Sequence, residues 1–166
     1  HWWVEMADLP TDSMVIQNAN KRDGRSGSKF RNGDTLFARI TPCLENGKTG
    51  YVNFMTNGEV GRGSTEFIVL RSKTLTPEFV YCLARRYDFR ENAIKSMVGS
   101  SGRQRVQESC FDKFLVLKPP SSLLTIFTET VAPMFEQIKV LHSQSQKLRA
   151  AGDLLLPRLM SGEIAV

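Results

Sequence analysis

Residues 124–159 read LTIFTETVAPMFEQIKVLHSQSQKLRAAGDLLLPRL. Within them Leu124, Phe127, Val131, Met134, Ile138, Leu141, Ser145, Leu148, Gly152, Leu155 and Leu159 follow in alternating steps of three and four, and nine of the eleven are apolar. That spacing is the seam of a coiled-coil helix. A helix from Leu123 to Ala151 would be about 43 Å long at about 1.5 Å per residue, too long to bury its whole seam against a compact neighbour. The seam therefore asks for a partner helix; the alternative is a terminal helix folded back on its own domain. Pro133 predicts a kink in the first third, and Gly152-Asp153 predicts an end before a short helix carrying Leu154 to Met160.

Toward the N-terminus, Pro119-Pro120-Ser121-Ser122 closes a segment of different character, which divides the chain into a head, residues 1–120, and a helical region, 121–166. Turn signals punctuate the head at 24–28, 32–34, 46–47, 57–58 and 61–64. Between them lie runs rich in β-branched and aromatic residues, TLFARI (35–40), GYVNF (50–54) and TEFIVLR (65–71), which read as short strands, as does CFDKFLVL (110–117). TPEFVYCLARRYDF (76–89) opens with Thr76 at an N-cap and Pro77 at the first helical position. Phe79, Leu83 and Tyr87 recur every four residues and predict a helix packed on the sheet, followed by a second helical run, ENAIKSMV (91–98). The expected fold class is α+β: a small β-rich domain with packed helices, followed by a long coiled-coil-forming helix.

With 166 residues, 41% hydrophobic and 23% charged, the chain has the composition of a globular protein rather than a disordered or membrane one. It lacks both a membrane-length apolar run and a signal-peptide pattern, so the expected compartment is the cytoplasm. Cys43, Cys82 and Cys110 are odd in number and widely spaced, and the two histidines stand at positions 1 and 142, so neither a disulfide framework nor a metal site is expected. The net charge of +5 resides wholly in residues 1–118, with 18 Lys and Arg against 13 Asp and Glu, while 119–166 balance at four against four. A basic head on a neutral tail suits an anionic partner, most commonly nucleic acid.

Catalytic signatures fail one by one. ENGKTG (45–50) contains the Gly-Lys-Thr of a phosphate-binding loop, but the required earlier glycine is replaced by Pro42. A nucleophile elbow, a His-Glu-x-x-His pair and a dinucleotide fingerprint are all missing. What remains is a distribution of donors. Lys21, Arg22, Arg25, Lys29 and Arg31 stud a Gly/Ser-rich loop, and Arg39, Thr41 and Lys48 flank a turn. Ser100, Ser101, Arg103, Gln104 and Arg105 crowd the loop MVGSSGRQRV (97–106). Arginine pairs bidentately with the major-groove edge of guanine and glutamine with that of adenine, while lysine and serine suit phosphates. The expected interface is therefore with double-stranded DNA, with Lys21, Arg22, Arg25, Lys29 and Lys48 at phosphates and Arg103, Gln104, Arg105 and Arg39 nearer the bases.

NGDTLFARITPCLENGKTG (32–50), GRGSTEFIVLR (61–71), GSSGRQRV (99–106) and LLLPRLMSGEI (154–164), in this order, resemble the specificity subunit of type I restriction-modification systems. The resemblance implies a non-catalytic target-recognition domain that reads one half of a split DNA site, followed by a conserved helix that pairs antiparallel as a spacer. It also implies docking of methyltransferase and restriction subunits, with S-adenosylmethionine held on the methyltransferase and no cofactor on this chain. A complete specificity subunit has two recognition domains and two long helices; this chain has one of each and opens at His1-Trp2-Trp3-Val4, past the family's usual first strand. It reads as a fragment or as a half-sized subunit whose copies pair through Leu124, Phe127, Val131, Met134, Ile138, Leu141 and Leu148. The rival readings are a coiled-coil dimeric transcription regulator and a coiled-coil adaptor for protein partners.

Overall fold

The computed structural model describes residues 1–24 and 26–164. Its strands are β1 (Trp2–Val4), β2 (Asn20–Lys21), β3 (Ser28–Phe30), β4 (Thr35–Ala38), β5 (Thr49–Tyr51), β6 (Gly61–Gly63) and β7 (Phe67–Leu70). Three helices follow, α1 (Pro77–Arg85), α2 (Tyr87–Lys95) and α3 (Ser121–Met160). The strands form two sheets, a mixed one ordered β2-β1-β6-β3 and an antiparallel one ordered β5-β4-β7. The class is α+β, as the alternation of strand-like runs with helical periodicity implied.

Strand β4 explains how so short a chain builds a core on both sides of one sheet. Successive side chains point to opposite faces. Leu36 therefore enters a cluster with Val4, Leu9, Phe30, Val52 and Phe67, while Phe37 enters another with Leu44, Ile68, Ala84, Phe89 and Val106. All four β4 residues are buried, so the strand is a septum between two cores.

Several local expectations are corrected. Residues 61–64 read as a turn, yet Gly61–Gly63 is a central strand between β1 and β3. The glycines serve close packing here: a Cβ at Gly61 would stand 2.2 Å from Cε2 of buried Phe30. Part of the Gly/Ser-rich loop likewise becomes β3. The helical run breaks at Arg86, whose extended backbone separates α1 from α2. Val80, Tyr81 and Ala84 form the buried face of α1, while Phe79 meets Phe127 of α3 and Tyr87 is exposed.

CFDKFLVL does not form a strand. Glu108–Phe111 is a 3-10 turn, and Phe111 and Phe114 both contact Phe89, with ring centroids 4.9 and 5.2 Å away. Residues three apart point to opposite faces of a strand but share a face of a helical turn, so this double contact selects the turn. Leu115 and Leu117 are left exposed.

Helix α3 runs for 40 residues, about 60 Å at about 1.5 Å per residue, without a break at Pro133, Gly152 or Pro157. Gly152 does not end it: its φ stays out of the left-handed region, and Leu154, Leu155 and Leu156, good helix formers, continue the run. The stop lies at Ser161-Gly162: Gly162 has φ +73°, its N–H donates to the Leu159 carbonyl, and the Glu163 N–H donates to that of Arg158.

The first half of α3 does fold back on the head. Phe135, 8% exposed, packs edge-on against Tyr51 and Tyr81 at 5.0 and 5.6 Å, and Val131 joins the same cluster. The Thr128 hydroxyl donates to that of Thr76. Cys82 is half-buried at this junction, beside Phe79 and Phe127. Phe127 and Val131, expected in the partner seam, thus face the head instead, and Phe135 rather than Met134 continues their row. A straight helix drifts about 20° per heptad relative to a 3.5-residue repeat, so a seam read by heptads passes from one face to another. From Ser143 to Met160 every residue is exposed.

Candidate nucleic-acid interface

The site grows from the end of β4. Beyond Ala38 the chain stays extended, and two short backbone hydrogen bonds tie it to the stretch before the 3-10 turn Glu108–Phe111. The Val106 N–H donates to the Arg39 carbonyl at 2.9 Å, and the Thr41 N–H donates to that of Gln104 at 3.0 Å. Ile40 and Arg105 face each other in an antiparallel bridge. Arg105 also exchanges both backbone bonds with Val98, at 2.9 and 3.0 Å. The loop 97–106 is therefore a hairpin hung on the extension of the central strand β4. Its tip turns through an Arg103 N–H to Ser100 carbonyl bond, with Gly99 and Gly102 at positive φ.

This hairpin brings together several of the residues expected at the bases. Ser100, Ser101 and Arg103 are exposed at the tip, and Gln104 is half-buried. Arg105 is gripped by Glu66: its Nε lies 3.0 Å from both carboxylate oxygens and its Nη2 lies 2.8 Å from Oε1. The hydrogen bonds to this carboxylate raise the Arg105 pKa. Arg39 points Nη1 at Glu108, 3.1 Å away, and Nη2 at the Val106 carbonyl, while its buried Nε has no partner among the described residues. The Thr41 hydroxyl turns inward, to the Gln104 carbonyl and the Met97 sulfur.

The expected phosphate group is scattered. Lys48 clamps a second 3-10 turn, Met6–Asp8, with Nζ donating to the carbonyls of Met6 and Ala7 at 2.8 and 3.3 Å. Lys21 lies 3.7 Å from Glu59 and over the Trp2 ring. The carboxyl of Glu59 is held below its usual range, first by the Thr56 N–H and further by the Trp2 indole N–H and Lys21. Arg22 stacks on Trp3, 3.8 Å from the ring centre, and pairs with Glu5 at 2.8 Å. Lys29 is exposed on β3, directly opposite Arg62 of β6. Arg25 lies outside the described residues.

Sequence reasoning missed Glu66, Glu108 and Arg62. Arg62 hides between two glycines that signal a turn. The two carboxylates carry no local pattern, because their arginines lie 39 and 69 residues away. Among the described residues there is no cluster of metal-ligating side chains and no helix long and apolar enough to cross a membrane.

No family model matches the chain. Known proteins do. Over 102 residues it is 32% identical to the specificity subunit of the type I restriction enzyme EcoAI of Escherichia coli, a match covering 60% of this chain and 17% of that subunit. The EcoEI specificity subunit of the same organism is 33% identical over 95 residues, covering 56% of this chain and 16% of the subunit. The chain is similar in sequence to type I restriction specificity subunits. Its matched segment spans less than a fifth of these curated relatives. The solved HsdS subunit from Thermoanaerobacter tengcongensis has the same fold, with a TM-score of 0.61 at 19% identity over 93% of this chain and 40% of that one. A chain solved in a study of the assembly and conformational transition of the type I restriction-modification system gives 0.61 at 18% identity, covering 99% of this chain and 43% of the other. The likeness to specificity subunits thus holds at two levels, sequence over the matched segment and fold over nearly the whole chain.

Proposed function

We propose that this chain is a DNA-reading half of a type I specificity subunit, with no catalytic role and no cofactor of its own. Residues 1–120 would bind one half of a split duplex site, and the helical region 121–166 would set the distance to the other half. The observation that carries this reading is the hairpin 98–105, which presents Ser100, Ser101, Arg103 and Arg105 to solvent from a backbone tied to β4. In that arrangement Arg103, Gln104 and Arg105 meet base edges, and Lys29, Lys21 and Arg22 serve phosphates after exchanging any carboxylate partner for DNA. Methyltransferase subunits, bearing S-adenosylmethionine, and a restriction subunit would dock on the assembled protein in the cytoplasm.

The free face of α3 supports pairing with a second helix. Met134, Ile138, Leu141, Leu148, Leu155 and Leu159 are all exposed, in steps of three, four and seven along one side. A second copy related by a two-fold axis buries this stripe against itself.

Selection from a randomised duplex pool, followed by binding at several salt concentrations, tests the reading. A selected half-site whose binding weakens steeply with salt is expected, with a slope of about −0.9 per phosphate contact. Enrichment of no sequence, with salt-insensitive binding to protein alone, overturns it in favour of an adaptor.

A further inference from the structure

We propose that Glu66 is a specificity-determining positioning residue, holding the Arg105 guanidinium so that its outer edge reads a single guanine. This rests on the DNA-reading function proposed above and names the device that makes the reading selective. A guanidinium has two edges that can accept a planar partner. Glu66 occupies the one formed by Nε and Nη2, through three N···O contacts of 2.8 to 3.0 Å. Among the described residues the outer edge faces no protein acceptor: one proton of Nη1 and the outer proton of Nη2 lie parallel there, the fork that matches O6 and N7 of guanine.

The pair is not an ordinary surface ion pair, which would leave a long side chain free to wander. The Glu66 side chain is 24% exposed against 45% for Arg105, so the carboxylate is the seated member and the arginine the presented one. The anchor is short at both ends. The Glu66 carbonyl accepts from the Arg39 N–H at 3.0 Å, and the Arg105 backbone is bonded to Val98 on one side and bridged to Ile40 on the other. Arg39 lacks the free edge: Nη2 is directed at the Val106 carbonyl, Nη1 at Glu108, and Nε is buried. Of the two arginines gripped by carboxylates beside this hairpin, Arg105 is the one both locked and, among the described residues, open.

A carboxylate beside a duplex repels phosphates, so its contribution must lie in selectivity rather than in total affinity. The test compares the full chain with Glu66→Ala, Glu66→Gln, Arg105→Ala and the Glu66→Ala/Arg105→Ala double variant. Each is carried through duplex selection and then titrated with the selected site and with that site changed at single positions. Urea midpoints confirm folding, and Glu66→Gln, which keeps one acceptor oxygen and the side-chain shape, decides if the alanine variant does not fold.

The expected result is that Glu66→Ala and Arg105→Ala lose preference at the same guanine by about ten-fold or more. Glu66→Gln falls between them and the wild type, and the double variant is no less selective than Arg105→Ala. Affinity of Glu66→Ala for random duplex stays equal or rises, whereas a merely structural role lowers affinity for all sequences alike. Loss of preference in Arg105→Ala with none in either Glu66 variant overturns the inference and leaves the DNA-reading function standing. A selective wild type whose Arg105→Ala variant keeps its full preference overturns the role of the pair. A wild type that selects no sequence overturns the proposed function itself.

Discussion

Replacing Phe135 and Met134 separately by alanine asks which face of α3 meets the head. Phe135 is 8% exposed and stands edge-on to two tyrosines, while Met134, one residue earlier, is 53% exposed. Truncating a buried phenylalanine costs about 3–5 kcal/mol, including the cavity left behind. Some relaxation of Val131 and Tyr81 into the space places this site at about 3–4 kcal/mol. With a urea slope of about 2 kcal/mol per molar for a domain of this size, the unfolding midpoint falls by about 1.5–2 M. Met134→Ala changes the monomer by no more than about 0.5 kcal/mol. The indoles of Trp2 and Trp3 report unfolding of the head by fluorescence, measured at two chain concentrations so that any self-association through the exposed stripe is seen separately. A midpoint drop of less than about 0.5 M for Phe135→Ala, or an equal drop for Met134→Ala, refutes the docking described here.

Three further perturbations probe the head. Asp34 is 1% exposed and accepts from Arg71 Nε at 2.6 Å, Arg71 Nη2 at 2.5 Å and the Arg31 N–H at 2.8 Å. Arg71→Ala leaves that carboxylate buried with one donor and should cost about 2–3 kcal/mol in urea unfolding, a loss that Arg71→Lys only partly restores. Burial pushes the Tyr81 phenol up to about 12. The unfolded chain ionises this tyrosine near pH 10 while the folded one holds its proton. Stability is therefore full below about pH 10 and declines as pH rises toward 12, and Tyr81→Phe should flatten that decline in pH-dependent unfolding. Gly61→Ala drives a Cβ into the Phe30 ring and should lower stability by about 1–3 kcal/mol, read as a fall in Tm, whereas Gly58→Ala meets no atom within 4 Å and loses only what its positive φ costs.

The elements legible in the sequence were those whose signal is local. TLFA at 35–38, FIVL at 67–70, the Thr76-Pro77 helix start and the long apolar periodicity of α3 each carry their own pattern. The features that escaped depend on what lies across the fold. Gly61 and Gly63 look like a turn until Phe30 and Phe67 are known to lie over them. The heptad spacing points to Met134, because a sequence repeat does not reveal where a straight helix meets a neighbour; Phe135 is selected by Tyr51 and Tyr81, which come from two other elements. The candidate interface divides in the same way. Residue type pointed to Arg103, Gln104 and Arg105, and the structure joins them in one hairpin. The carboxylates that hold Arg105 and Arg39 come from distant segments and were out of reach of any spacing argument.

Cys82 turns the seating of α3 into something that can be timed. Burial raises the pKa of its thiol, and Phe127 of α3 lies beside it. Cys43 and Cys110 pack against a different cluster, the one around Phe37 and Phe89. A thiol reagent therefore meets two separate clocks in one polypeptide. All three are half-buried, so modification of Cys82 is expected to quicken when the helix lifts, and that of the other two when the interior of the head opens. The ratio of those rates, with DNA or a second helix added, reports whether binding at either end is felt at the joint between them.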